Sequence, residues 1–229
     1  MRPHIKRQPQ EDSMKLRSYF VLTSLVLSVI IAVGCQSTYY AVWEKMGKEK
    51  RHLLRDNVKK ASEAQKEASE QFKDVLTQMK EMYGFDGGNL EKFYEKLKAD
   101  FEESEDRAND VHKRVDSVER IASDLFKEWS GEIKQIKTAK LRSQSTRSLK
   151  DTKRRYARLE KAMKKAESRM DPVLDQLRDN VLYLKHNLNA QAIGALRKEA
   201  EKIEIEVEAL IGDMRNSIKE AETFLKNFK

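Results

Sequence analysis

Residues 90–136 read LEKFYEKLKADFEESEDRANDVHKRVDSVERIASDLFKEWSGEIKQI. Leu90, Leu97, Val111, Val118 and Leu125 stand in one row of seven-residue steps, interrupted by Ser104. Tyr94, Phe101, Ala108, Val115, Ala122, Trp129 and Ile136 form a second row, offset by four. Two apolar rows repeating by seven put a continuous seam on one face of an α-helix and leave charges on the rest, the pattern of left-handed supercoil packing. Asn89 is a good N-cap, and Glu91 in the first turn favours the positive end of the helix dipole. At about 1.5 Å per residue, some 50 residues make a rod of roughly 75 Å. Ser130-Gly131 is the weak point, where a kink or an early end is expected.

The same periodicity continues on both sides. Upstream, Tyr40, Gly47, Leu54, Ala61, Ala68, Val75 and Met82 keep a seven-residue step, with Val58, Phe72 and Met79 in a neighbouring row. The alanines from Ala61 to Ala68 allow a partner helix to approach closely. Gly84, Gly87 and Gly88 then supply the positive φ that a tight reversal needs. Downstream, Arg142-Ser143-Gln144-Ser145-Thr146-Arg147 reads as a polar break, and Ser148 with Asp151 as the capping box of a third helix. Its rows are Leu149, Tyr156, Met163, Met170, Leu177 and Leu184, with Leu159, Ala166 and Val173. Pro172 falls inside this run with the heptad phase unchanged, which predicts either a kinked helix or two collinear helices capped by Asp171. After His186–Asn189, a fourth helix carries Ile193, Ala200, Val207, Met214, Ala221 and Phe228, with Leu196, Ile203, Leu210 and Phe224.

Four amphipathic segments with short connections predict an all-α fold, an elongated antiparallel up-down four-helix bundle or coiled coil. Its helices span about 37–82, 90–141, 148–187 and 190–228, within a single domain over 35–229. The chain is 37% charged and 7% aromatic, with a mean hydropathy of −0.78. Such a composition raises the question of disorder. Sustained heptad spacing decides for structure, because a disordered chain has no reason to maintain it.

Ahead of the helices stands Met14–Cys35, MKLRSYFVLTSLVLSVIIAVGC. A basic lead (Lys15, Arg17), an uncharged apolar run from Tyr19 to Val33 and small residues before the sole cysteine have the layout of a secretory signal peptide. The ending resembles a bacterial lipobox, with Ala32 where leucine is usual. Cleavage after Gly34 would make Cys35 a lipidated N-terminus. A plain transmembrane anchor needs roughly 20 apolar residues, and this run is shorter and contains Thr23, Ser24 and Ser28. Residues before Met14 read as an upstream start or a long leader. Removing residues 1–34 takes away five basic and two acidic residues, so the formal charge of +8 becomes +5.

Catalytic chemistry finds little support in the remaining residues. His52, His112 and His186 have no second histidine or cysteine at helical reach, and the Glu-x-x-His pairs of di-iron bundles are absent. There is no glycine-rich phosphate loop and no nucleophile elbow. The expectation is a non-enzymatic protein with no catalytic residues, no metal and no cofactor.

Charge placement is more informative. From Lys134 to Arg169 there are fourteen basic residues against three acidic ones, whereas Asn89 to Asp110 holds eight acidic and four basic. With Leu149 at heptad position a, Lys150, Arg154, Arg158, Lys161, Lys164 and Lys165 fall at the outward b, c and f positions, and Arg147 precedes them. In an up-down bundle the second helix returns to the anchored end, which sets this basic face near the lipid headgroups. Each Lys or Arg near an anionic surface is worth about 1 kcal/mol, decaying within a Debye length.

The segment Ser37-Thr38-Tyr39-Tyr40-Ala41-Val42-Trp43-Glu44-Lys45-Met46-Gly47, followed by Lys50-Arg51 and the helical run to Val75, resembles a family of proteobacterial lipoproteins defined as a domain of unknown function. Some members of that family carry an automatic DNA-repair label. The resemblance implies a Gram-negative envelope protein and carries over no catalytic residue. Gln36 after the cysteine resembles the pattern of lipoproteins sent to the outer membrane. The expected function is therefore a lipid-anchored helical scaffold or adaptor on the periplasmic side of the outer membrane. Its partners are the membrane itself, anionic lipid or another envelope polymer at the basic face, and a helical protein or a second copy. The alternative is a cytoplasmic coiled-coil protein that binds nucleic acid through the basic face, with Tyr156 placed to stack. A third option, opening of the helices into a membrane, is opposed by the charges on their remaining faces.

Overall fold

The heptad rows become four α-helices in a computed structural model of the chain, which describes residues 50–83 and 90–228. They are α1 (Lys50–Tyr83), α2 (Leu90–Gln135), α3 (Ala139–His186) and α4 (Ala190–Asn227). Among the described residues there is no strand. The signal-peptide reading with Gly34 and Cys35, the helix expected from residue 37 and the glycine turn at 84–88 lie outside the described residues.

Residues 50–229 form one compact unit in which each helix packs on two others, α1 and α3 each lying against both α2 and α4. Charged partners reveal the directions. Along α1 and α2, Lys50 meets Glu128 at 2.7 Å and Glu67 meets Arg107 at 2.6 Å. Further along, Gln71 Nε2 donates to the Asp100 carbonyl at 2.9 Å. One number rises as the other falls, so the two helices are antiparallel. The same holds for α2 with α3 (Glu105–Arg178, Glu119–Lys164) and for α3 with α4 (Gln176–Glu206, Lys165–Asp213). It holds too for α4 with α1, where Arg55 donates to the Phe228 carbonyl and Lys80 pairs with Glu204. One end of the unit thus gathers Lys50, the end of α2, the start of α3 and Phe228. The other gathers Tyr83, Leu90, His186 and Ala190.

The heptad rows are the core. Leu54, Val58, Ala61, Ala68, Phe72 and Val75 of α1 are buried, as are Val111, Val115, Val118 and Ala122 of α2. All nine row positions named for α3 are buried, from Leu149 to Leu184. In α4, Val207, Leu210, Met214, Ala221 and Phe224 join them, as does Phe228 just past its end. Ser104, the interruption in the α2 row, is buried and donates its hydroxyl to the Asp100 carbonyl at 2.8 Å, so the polar group is satisfied within its own helix. Tyr94, Trp129 and Ile136 are only half-buried, because they lie at the two ends of α2 where fewer neighbours cover them.

Two expected boundaries move. The polar stretch Arg142–Arg147 does not break the chain: α2 stops at Gln135, and α3 begins at Ala139, nine residues ahead of Ser148. Ser148 and Asp151 are therefore interior helix residues and not a capping box. The connection is Ile136–Thr138, closed by Ile136 N–H to the Ile133 carbonyl at 3.3 Å and by the Arg142 guanidinium to the Ile136 carbonyl at 3.2 Å. Thr138 is extended (φ −69°, ψ 112°), which turns the backbone into the new helix without a side-chain cap. Two of the hydroxyls in this stretch are occupied. Thr146 bonds back to the Arg142 carbonyl at 2.8 Å, and Trp129 Nε1 donates to Ser145 Oγ at 3.0 Å across the corner. Pro172 likewise interrupts nothing: α3 runs unbroken from Ala139 to His186. Pro172 and Ser168 are both exposed, so the carbonyl that loses its donor remains open to water. Gly131 also sits within continuous helix.

Candidate functional site

The near end is closed by aromatic rings. Phe126 meets Tyr156 edge-on at 5.4 Å, Tyr156 meets Phe224 at 6.1 Å, and Phe224 stacks on Phe228 at 4.8 Å. Arg51 lies over Trp129 at 5.1 Å and over Phe228 at 5.8 Å, a cationic cover on the end of the core. Tyr156 is 6% exposed, and burial pushes its phenol far above the usual range. It belongs to the core and offers no ring for a nucleic-acid base to stack upon.

Beyond this cluster α2 and α3 run on as a pair. Glu128 is level with Lys50, so α2 after Ser130 and α3 before Lys150 project past the described starts and ends of α1 and α4. From Ala139 to Ser148 α3 has no buried residue. The seam that resumes at Leu149 is there replaced by Arg142 and Ser145.

Each of the seven basic positions named from the sequence, Arg147, Lys150, Arg154, Arg158, Lys161, Lys164 and Lys165, is exposed on α3. The structure divides them by what they meet. Lys164 Nζ lies 2.7 Å from Glu119 of α2, a hydrogen bond that raises its pKa. Lys165 lies 2.7 Å from Asp213 of α4, and Arg169 shares the same carboxylate. Arg158 approaches Glu220 of α4 at 3.9 Å, and Arg154 pairs with Asp151 of its own helix at 3.0 Å. All but Arg154 tie α3 to its neighbours, and the charge of each is already compensated.

Lys161 is exposed with no ion pair among the described residues, and the longest run of such uncompensated charge lies earlier. Residues 134–150 hold Lys134, Lys137, Lys140, Arg142, Arg147 and Lys150 and no acidic residue, with Glu132 and Asp151 as the nearest acids in the chain. All six are exposed, and among the described residues none lies within ion-pair distance of a carboxylate. Leu141, 55% exposed, sits in their midst. Of the seven positions named from the sequence, Arg147 and Lys150 fall in this run, which also holds Leu141. The sequence signal for the corner is the run of eighteen residues, 133–150, without an acid.

The acidic start of α2 occupies the far end. There Glu105 pairs with Arg178 at 2.7 Å, and Arg107 with both Glu67 and Glu103. An open groove of about 460 Å³ runs between α3 and α4, with Gln176, Asn180, Tyr183, Leu196, Glu199 and Ile203 among its walls. Between the ends His112 bridges two acids of α3, Nδ1 to Glu167 at 2.8 Å and Nε2 to Asp171 at 3.2 Å. Burial opposes the imidazolium, but the hydrogen bonds to Glu167 and Asp171 outweigh it and raise the pKa. His112 is thus an interhelical tie. Among the described residues no group of three or more His, Cys, Asp or Glu side chains converges on a metal-sized point, and no described helix is long and apolar enough to cross a membrane.

No curated protein and no solved structure matches the chain. A family model described as protein of unknown function (DUF2959) matches residues 39–228, a span that takes in α1 to α4 and the whole basic corner. By that match the chain belongs to the family of DUF2959 proteins.

Proposed function

We propose that the protein is a non-enzymatic envelope lipoprotein, an antiparallel up-down four-helix bundle that serves as a spacer or adaptor held to a membrane at one end. In this reading the signal peptide is cut after Gly34, and acyl chains on Cys35 hold the protein on the periplasmic side of the outer membrane. The observation that carries it is the sharing of one end by Lys50 and the basic α2–α3 corner. Lys50 pairs with Glu128, about two turns before the end of α2 at Gln135. Only fourteen residues lie between it and Cys35, so a tether there allows the corner to reach the headgroups. Charge polarity along the unit supports the same orientation. Uncompensated cations lie at the tethered end, and the acidic start of α2 lies away from an anionic surface.

A binding partner would find its apolar surface at the far end. The groove between α3 and α4 lies there, beside the exposed side chains of Leu182, Tyr183 and Leu188. Metabolic labelling with palmitate tests the tether. Label incorporated by the native chain and lost in Cys35→Ser supports it, whereas an unlabelled chain retaining residues 1–34 sinks it.

A further inference from the structure

We infer that the α2–α3 corner, residues 134–150, is a docking tip for an anionic bilayer surface. Six lysines and arginines bind the headgroups, and Leu141 enters the boundary between headgroups and acyl chains. For its orientation the inference rests on the proposed tether; the contact itself is read from the corner alone.

Three features of the corner converge. First, the charge of its cations is not offset by acids. Lys134, Lys137, Lys140, Arg142, Arg147 and Lys150 have no carboxylate within ion-pair distance among the described residues, while the later Arg158, Lys164 and Lys165 are spent on Glu220, Glu119 and Asp213. Second, the corner stands clear. No residue from Ala139 to Ser148 is buried, and the helices of the corner extend past Lys50 and Phe228. Third, it carries an apolar residue for which the fold has no use. Leu141 is 55% exposed between Lys140 and Arg142, two long side chains whose stems can lie along an interface while their charges stay in water.

A leucine flanked by cations at a helix start suits the bilayer boundary, where apolar burial and anionic charge occur a few ångströms apart. A nucleic-acid backbone would reward the cations and leave the leucine without a partner. The corner is also stiff enough to hold this presentation. Arg142 fastens the Ile136 carbonyl, and Trp129 is bonded to Ser145.

The test is co-sedimentation of residues 50–229, the unit that closes its own core, with phosphatidylcholine vesicles made with or without phosphatidylglycerol. Binding is expected only with the anionic lipid and should weaken as salt is added. At about fivefold per cation, the triple variant Lys137→Gln, Lys140→Gln, Arg147→Gln should lose about a hundredfold in partitioning. Leu141→Ser should lose about tenfold, and Lys164→Gln with Lys165→Gln less than about twofold, because those charges are already compensated. The side chains of the triple variant and Leu141 are exposed and make no ion pair among the described residues, so thermal melts of those variants should be unchanged; if the triple variant melts early, Leu141→Ser decides. Equal binding to neutral vesicles overturns the inference, and so does a Lys164/Lys165 loss as large as that of the triple variant. It is also overturned if Leu141→Ser has no effect while duplex DNA displaces the protein from vesicles. Vesicle binding without palmitate on Cys35 would leave the tip standing and remove the tether, and palmitate without vesicle binding would do the reverse.

Discussion

Replacing Phe224 by alanine probes how the near end of the unit is held shut. Phe224 is 2% exposed, stacks on Phe228 at 4.8 Å with planes 22° apart, and meets Tyr156 edge-on at 6.1 Å. Truncation removes the transfer free energy of the ring and leaves a cavity between α3 and α4, together worth about 3–5 kcal/mol. Part of that figure is the aromatic geometry itself, about 0.5–1.5 kcal/mol for each pair. Set against a typical total of roughly 5–15 kcal/mol, the loss is large. For a unit of this size it should lower the melting temperature by about 10 °C. Urea denaturation followed by far-UV circular dichroism measures the change, and Ile205→Ala, at 67% exposure, serves as the control expected within about 0.5 kcal/mol of native. Amide exchange should rise at the Lys50, Glu128 and Phe228 end before it rises near Leu97 and Leu184. A loss below about 1 kcal/mol, or exchange that rises first at the far end, would refute the view that these rings close the core.

The tie at His112 makes stability pH-dependent. Its pKa is raised in the folded protein, so the stabilisation is fully present below the unfolded value of 6.5 and is lost as pH rises through the higher folded value. The facing groups are Glu167 and Asp171 of α3, and His112→Gln should flatten the slope of denaturation free energy in that window. Gly131 and Gly212 lie inside helices with nothing within 4 Å of an added Cβ. Gly131→Ala and Gly212→Ala should each add about 0.5–1 kcal/mol in the same urea assay, and a loss at either would show a tight contact that the packing does not contain.

How much was legible in the sequence differs by element. The seven-residue rows named most of the core because burial in a helical pair depends on a period that side-chain chemistry displays directly, as with Val111, Val118, Met163 and Met170. Pro172 was legible as a question only. Both readings kept the phase, and continuity was decided by the exposure of its face, where a lost backbone bond is taken up by water. The Arg142–Arg147 stretch misled because serine and threonine are weak helix formers whose hydroxyls compete for the backbone. Trp129, from another helix, occupies one of those hydroxyls.

By itself the amino-acid sequence determined that the chain is helical, which faces meet, and that positive charge concentrates between Lys134 and Arg169, since all three depend on spacing along one chain. Only the tertiary structure decided which of those charges are available. Lys164 and Lys165 are compensated by Glu119 and Asp213, residues 45 and 48 positions away whose proximity is created by antiparallel packing. The corner at 134–150 lies past the packed core, where no acidic partner among the described residues reaches it.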